Sequence, residues 1–76
     1  MSWLEELAAV LDVEPLTDAE QRTVLRLARE VAHRTERVNA PLAAYLAGRF
    51  AAATDRPDAA GEAFRRAEGI LPPAAT

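Results

Sequence analysis

A chain of 76 residues, half of them apolar, is long enough for one small hydrophobic core and too apolar for a disordered segment. It has no cysteine, so neither a disulfide nor a thiolate-held metal can support the fold, and its net charge of −3 disfavours nucleic-acid phosphate except at a local basic patch. No apolar run approaches the ~20 residues that span a bilayer, and Met1-Ser2-Trp3-Leu4-Glu5-Glu6 is acidic where a secretory signal is basic, so a cytoplasmic protein without membrane contact is expected.

The first helix starts at Ser2. Ser2-x-x-Glu5 is a capping box, in which hydroxyl and carboxylate satisfy free amides at a helix start. Trp3, Leu4, Leu7 and Leu11 share one face by their spacing of three and four. Pro15 stops the connection from Asp12 to Leu16 from being helical. A second capping box, Thr17-x-x-Glu20, opens the next helix, whose pattern runs to about Arg37. Val24, Leu27, Ala28, Val31 and Thr35 form its inward stripe. Arg22, Arg26, Arg29, His33 and Arg37 fall on the opposite side, within roughly 80° at 100° per residue.

After a short link, Val38 to Ala40, the third helix opens with Pro41, whose missing N–H is not needed in a first turn. Leu42, Leu46, Phe50 and Ala53 define one face. Ala44, Ala47, Gly48, Ala51 and Ala52 make the other side small rather than polar. A helix apolar all round is normally covered on more than one side, so this one is expected to be the central helix or half of a homodimer interface. Gly48 suggests close backbone approach by a neighbour, because glycine costs about 1 kcal/mol against alanine within a helix. A polar turn over Thr54 to Asp58 leads to the fourth helix. That helix turns Ala60, Phe64, Ala67 and Leu71 inward and Glu62, Arg65 and Arg66 outward, and is ended by Gly69 and Pro72-Pro73. The prediction is one all-α domain over residues 1–71, a small four-helix bundle-like fold with the third helix central, and a disordered tail over 72–76.

All nine basic residues are arginine. Residues 1–20 carry Glu5, Glu6, Asp12, Glu14, Asp18 and Glu20 with no base, a charge of −6. Residues 21–49 carry Arg22, Arg26, Arg29, Arg34, Arg37 and Arg49 against Glu30 and Glu36, a charge of +4. Attraction between an acidic first helix and a basic second one is therefore expected within the domain.

Catalytic chemistry finds little to work with. Cys and Lys are absent, Ser2 is used in capping, and His33 is the only candidate base, so no activated nucleophile is expected. Glu30-x-x-His33 matches one half of the di-iron bundle motif, but that motif must occur twice and occurs once, so no metal is expected. The glycines Gly48, Gly61 and Gly69 are scattered, which leaves no phosphate-cradling loop and no cofactor site. The acidic residues sit at helix starts or on outer faces, where the helix dipole accounts for them. The arginine stripe is the best functional candidate, able to hold phosphates or an acidic partner, with His33 as a titratable member. Its plain alternative is a solvated outer face, neutralised in part by Glu30 and the first helix. Arg49, one turn after Tyr45 on an apolar face, either runs its stem along the core edge, pairs with an acid of the first helix, or lines a pocket with Tyr45.

Two resemblances follow from particular residues. Gly48, Ala60, Phe64, Ala67 and Pro72 resemble one tetratricopeptide repeat. One 34-residue period earlier, however, Glu30 and His33 stand where core residues are required, so a generic helical hairpin is the better description. Trp3-Leu4, the run Val24-Leu25-Arg26-Leu27-Ala28-Arg29-Glu30-Val31-Ala32-His33, Ala40-Pro41-Leu42 and Leu46-Ala47-Gly48 together resemble a small actinobacterial family of unknown function. Members of that family are found beside, or fused to, molybdopterin-guanine dinucleotide biosynthesis proteins and formate dehydrogenase accessory genes. The resemblance implies a helical accessory domain in molybdenum-cofactor maturation and no catalytic residues. Together with two faces that lack an internal use, it leads to the expectation of a module that docks on a molybdenum-cofactor enzyme or nucleotidyltransferase through the arginine stripe of the second helix or the small-residue side of the third. Pro41 and Gly48 have structural explanations. His33 and Asn39 do not, and are where function is expected. The alternatives are binding of a phosphorylated ligand by the arginine stripe, and a purely structural homodimer through the third helix.

Overall fold

Four helices account for the fold, in a computed structural model that describes residues 2–74: α1 (Trp3–Leu11), α2 (Asp18–Arg34), α3 (Asn39–Ala52) and α4 (Ala59–Glu68). Their starts divide into two kinds. The Ser2 hydroxyl accepts from the Glu5 amide and the Glu5 carboxylate accepts from the Ser2 amide, at 3.2 and 2.9 Å. Thr17 and Glu20 repeat this reciprocal pair at 3.1 and 2.8 Å. The Ser2 backbone N–H and then its hydroxyl hold the Glu5 carboxyl below its ordinary pKa. The caps of α3 and α4, Val38 and Asp58, make no such side-chain bond, and the Asp58 carboxylate instead accepts from Arg65 at 3.4 Å. At the far end of α1, Asp12 takes the left-handed conformation and the Val13 amide reaches back to the Ala8 carbonyl, which closes the helix sharply.

α2 ends at Arg34, three residues before the pattern predicts. Thr35 leaves helical geometry, its hydroxyl donating to the Val31 carbonyl at 2.6 Å. The Asn39 amide donates to the Thr35 hydroxyl at 3.2 Å, so a local side-chain network replaces the next helical turn. α3 begins two residues before Pro41, which still lies in the first turn.

α2, α3 and α4 pack on one another in all three pairings. At their meeting point Leu27, Val31 and Phe64 are buried, with Ala43, Ala47, Ala67 and Leu71 against them. The fold is thus a small all-α, bundle-like domain, and α3 packs on both of its neighbours as expected of a central helix. Its orientation differs from the sequence expectation. Ala43 and Ala47 point inward, while Leu42, Tyr45 and Leu46 are exposed. The small residues win the inner side because they let the helix axes approach closely around Leu27 and Phe64. Gly48 is not part of that approach: a methyl group placed on it would meet no atom within 4 Å. Gly48→Ala is therefore expected to stabilise the domain by about 0.5–1 kcal/mol, a rise in melting temperature of several degrees in a thermal scan. A melting temperature that stays level or falls would show a hidden contact at this position.

The acidic first helix is not drawn onto the basic second one. No Cα of α1 lies within 8 Å of a Cα of α2, α3 or α4. Trp3, Leu4, Val10 and Leu11 are all exposed, Trp3 to 68%. The accessible surface is 6063 Å², against about 4,500 Å² for a folded monomer of this mass. The radius of gyration is 13.0 Å, against about 11.4 Å for a chain of this length. No helix among the described residues is long and apolar enough to cross a membrane. The tail expected to be disordered over 72–76 lies partly outside the described residues. Within them, the Pro72 carbonyl accepts from Arg34 Nε at 2.7 Å.

Candidate interaction surface

The eight residues singled out from sequence are placed in three groups. Arg22, Arg26 and Arg29 line one open depression on the outer side of α2, around exposed Leu25. His33 lies on the same helix, one turn beyond Arg29, and is exposed. Arg37 has left the stripe, because α2 has already ended and Arg37 sits in the turn before α3. Asn39, without a structural role by sequence, has one: it bonds Thr35 and joins α2 to α3. Tyr45 and Arg49 pair on the outer edge of α3, the guanidinium 5.2 Å from the ring centre. Among the described residues Arg49 makes no ion pair, with the first helix or elsewhere.

Two further arginines cover aromatic rings. Arg26 lies 5.1 Å from the centre of Phe64 and Arg66 4.9 Å from that of Phe50. Such contacts occur roughly once per 70–80 residues, so their concentration here marks a core too thin to cover its own aromatics. Long arginine stems complete the cover while the charge stays wet. Arg26 thus combines an inner structural contact with membership of the outer stripe.

The stripe is not neutralised in the way the sequence suggests. Glu30 is taken by Arg34 at 3.3 Å, and α1 is elsewhere. Among the described residues Arg22, Arg26 and Arg29 make no ion pair within 4 Å. Glu62 of α4 serves arginines of its own helix. Glu62 accepts from Arg65 and Arg66 at 3.1 Å and lies 3.5 Å from Arg56. The Arg66 hydrogen bond, then the Arg65 one, holds the Glu62 carboxyl below its ordinary pKa. A carboxyl lowered by folding adds stability above its unfolded pKa, and that stability is lost as pH falls through the folded one. The domain should weaken as pH drops below the ordinary glutamate range, and Glu62→Gln should flatten that decline in urea titrations across acid pH. An unchanged acid slope in the variant would count against this assignment.

An apolar opening lies on the side of α3 that carries Ala47. Between α2, α3 and α4 lies a groove of about 360 Å³. Leu27 and Val31 form its floor, Ala43, Leu46, Ala47 and Phe50 one wall, and Ala63, Arg66, Ala67, Ile70 and Leu71 the other, with Asn39 and Thr35 also lining it. Leu46 stands at its rim, 59% exposed, and exposed Leu42, Tyr45 and Val38 continue the apolar surface along α3. The signal for it was the third helix itself: a helix apolar on every side has more apolar surface than two neighbours can cover.

Among the described residues no three His, Cys, Asp or Glu side chains are grouped as metal ligands would be. The arrangement offers two binding chemistries: an apolar groove suited to hydrophobic side chains, and a basic depression suited to anions. Neither a curated protein nor a solved structure matches the chain. A family model described as "Domain of unknown function (DUF6457)" matches residues 1–75, and the chain belongs to that family.

Proposed function

We propose that the domain is a non-enzymatic helical accessory module that binds a protein partner through the groove between α2, α3 and α4. The observation that carries this reading is the groove. It is open, about 360 Å³, and almost wholly apolar, in a domain whose own buried core is only a few residues. Apolar openings bordered by exposed hydrophobic side chains are where proteins hold partners. The unpaired arginines on the other side of α2 add a surface that selects acidic partners and speeds encounter.

The partner we assign is a molybdenum-cofactor enzyme or its nucleotidyltransferase, in molybdopterin-guanine dinucleotide maturation. The resemblance carried by the Val24–His33 run, Ala40-Pro41-Leu42 and Leu46-Ala47-Gly48 supports it. The test is a direct titration of the full chain onto a purified molybdopterin-guanine dinucleotide nucleotidyltransferase and onto a formate dehydrogenase component. Saturable binding to one of them is expected. Leu46→Glu should abolish it, and Arg26→Glu with Arg29→Glu should weaken it. If neither protein binds, the molybdenum assignment fails. If binding survives Leu46→Glu, the groove is not the contact.

A second reading has its own observation: three arginines without carboxylate partners converge on one depression. A phosphorylated ligand such as a guanine nucleotide fits that chemistry. Calorimetry with guanosine triphosphate at low salt should show heat that vanishes in Arg22→Ala with Arg29→Ala. A flat isotherm for the unaltered chain removes this reading.

A further inference from the structure

We infer that the groove between α2, α3 and α4 is occupied by the α1 helix of a second copy of this chain, in a reciprocal exchange. The inference rests on the groove being a docking surface and names what fills it in the protein on its own, which a partner protein would displace. The first support is the shape of what is left uncovered. In α1, Trp3, Leu4, Leu7, Val10 and Leu11 fall within one broad arc at 100° per residue, with Glu5 and Glu6 on the other side. Trp3, Leu4, Val10 and Leu11 of that arc are exposed, and no Cα of α1 lies within 8 Å of the other three helices. A helix of this kind is stable in water only when its apolar face is covered, since nine residues are too few to hold a helix alone.

The second support is area. The chain exposes about 1,500 Å² more than a folded monomer of its mass. A standard interface removes about 800 Å² from each partner, so one reciprocal seating fits within that excess. The third is charge. α1 carries Glu5 and Glu6 and no base, and the charged side chain lining the groove is Arg66. Arg49, on the outer edge of α3, makes no ion pair among the described residues. An acidic amphipathic helix is the complement of this face, and the chain contains one.

The connection decides which copy supplies it. Asp12 and Val13 are tied back onto α1, and Thr17 is tied forward onto α2 through Glu20. Across that connection α1 lies away from its own groove, with no Cα within 8 Å of α2, α3 or α4. A second copy's α1 can enter with that geometry unchanged, and two-fold symmetry then fills both grooves at once.

The test is the mass of the full chain by sedimentation equilibrium across a wide concentration range, with two variants. Leu7→Glu spoils the apolar arc of α1, and Leu46→Glu spoils the groove rim. Both sites lie outside the buried core, and circular dichroism checks that the helices persist. The unaltered chain should be a reversible dimer. Each variant alone should dimerise at least ~10-fold more weakly, the loss of about 1.4 kcal/mol. An equimolar mixture of the two should recover heterodimer, because one intact α1 then meets one intact groove. A monomer at every concentration overturns the inference, including the case in which the chain's own α1 folds back. So does a dimer indifferent to Leu7→Glu, or a mixture that fails to recover. A monomer whose partner binding is still lost in Leu46→Glu would leave the accessory-module reading standing without a second copy.

Discussion

Phe64→Ala should leave the domain barely folded at room temperature. Phe64 is only 8% exposed and is one of three side chains that form the core cluster, with Leu27 and Val31. Removing a buried phenylalanine ring costs about 3–5 kcal/mol, transfer and cavity together. A chain of this size has about 4–11 kcal/mol in total. With so few side chains buried, the lower part of that range is expected here. A further loss comes with the ring: Arg26 loses the face it covers. Urea melts followed by circular dichroism should show the midpoint collapse toward zero denaturant. A loss of less than about 1.5 kcal/mol would mean that the core relaxes around the gap, contrary to the cavity cost described.

Arg34→Ala is the second large effect, about 2 kcal/mol by the worth of charge-assisted hydrogen bonds. The side chain is only 19% exposed and has three partners. Its Nη1 donates to Glu30, its Nη2 to the Leu71 carbonyl at 3.4 Å and its Nε to the Pro72 carbonyl at 2.7 Å. Leu71 lies beyond the end of α4 and yet packs against the core. Arg34 is the clamp that keeps it there. Arg34→Lys should not restore stability, since a single ammonium cannot fork onto two carbonyls and a carboxylate. Limited proteolysis should cut the segment around Leu71 in Arg34→Ala before the rest of the chain. A stability loss under about 0.5 kcal/mol, the level of an ordinary surface pair, would show that the clamp contributes little.

Arg34 also shows what a sequence reading passes over. It lies seven residues after Leu27, nearly in line with it on a helix, so its position on the inner face was legible in the spacing. Its charge diverted attention to the outer stripe. Both capping boxes were read correctly because they depend only on residues three apart. The end of α2 was not, because the periodic pattern runs on through Thr35 and Arg37 while the true stop depends on Asn39 reaching back from α3. The turning of α3 was illegible for a different reason. A helix with apolar residues on every side carries no pattern to say which side goes in, so the choice falls to the shape of Leu27 and Phe64 opposite. The groove followed from that choice and was hidden with it. The stripe residues Arg22, Arg26 and Arg29 were found, but Arg26's contact with Phe64 joins residues 38 positions apart, beyond any local pattern.

The isolation of α1 also divides the chain optically. Its single tryptophan, Trp3, lies on the helix that touches none of the other three, and the ring is mostly in solvent. Emission from Trp3 reports the surroundings of α1, whereas ellipticity reports all four helices together. Heating curves from the two probes should therefore part company even if α2, α3 and α4 melt in one step. Such disagreement is usually taken as the mark of a folding intermediate. In this chain it would instead measure how far the light-emitting helix has been recruited into any cooperative unit.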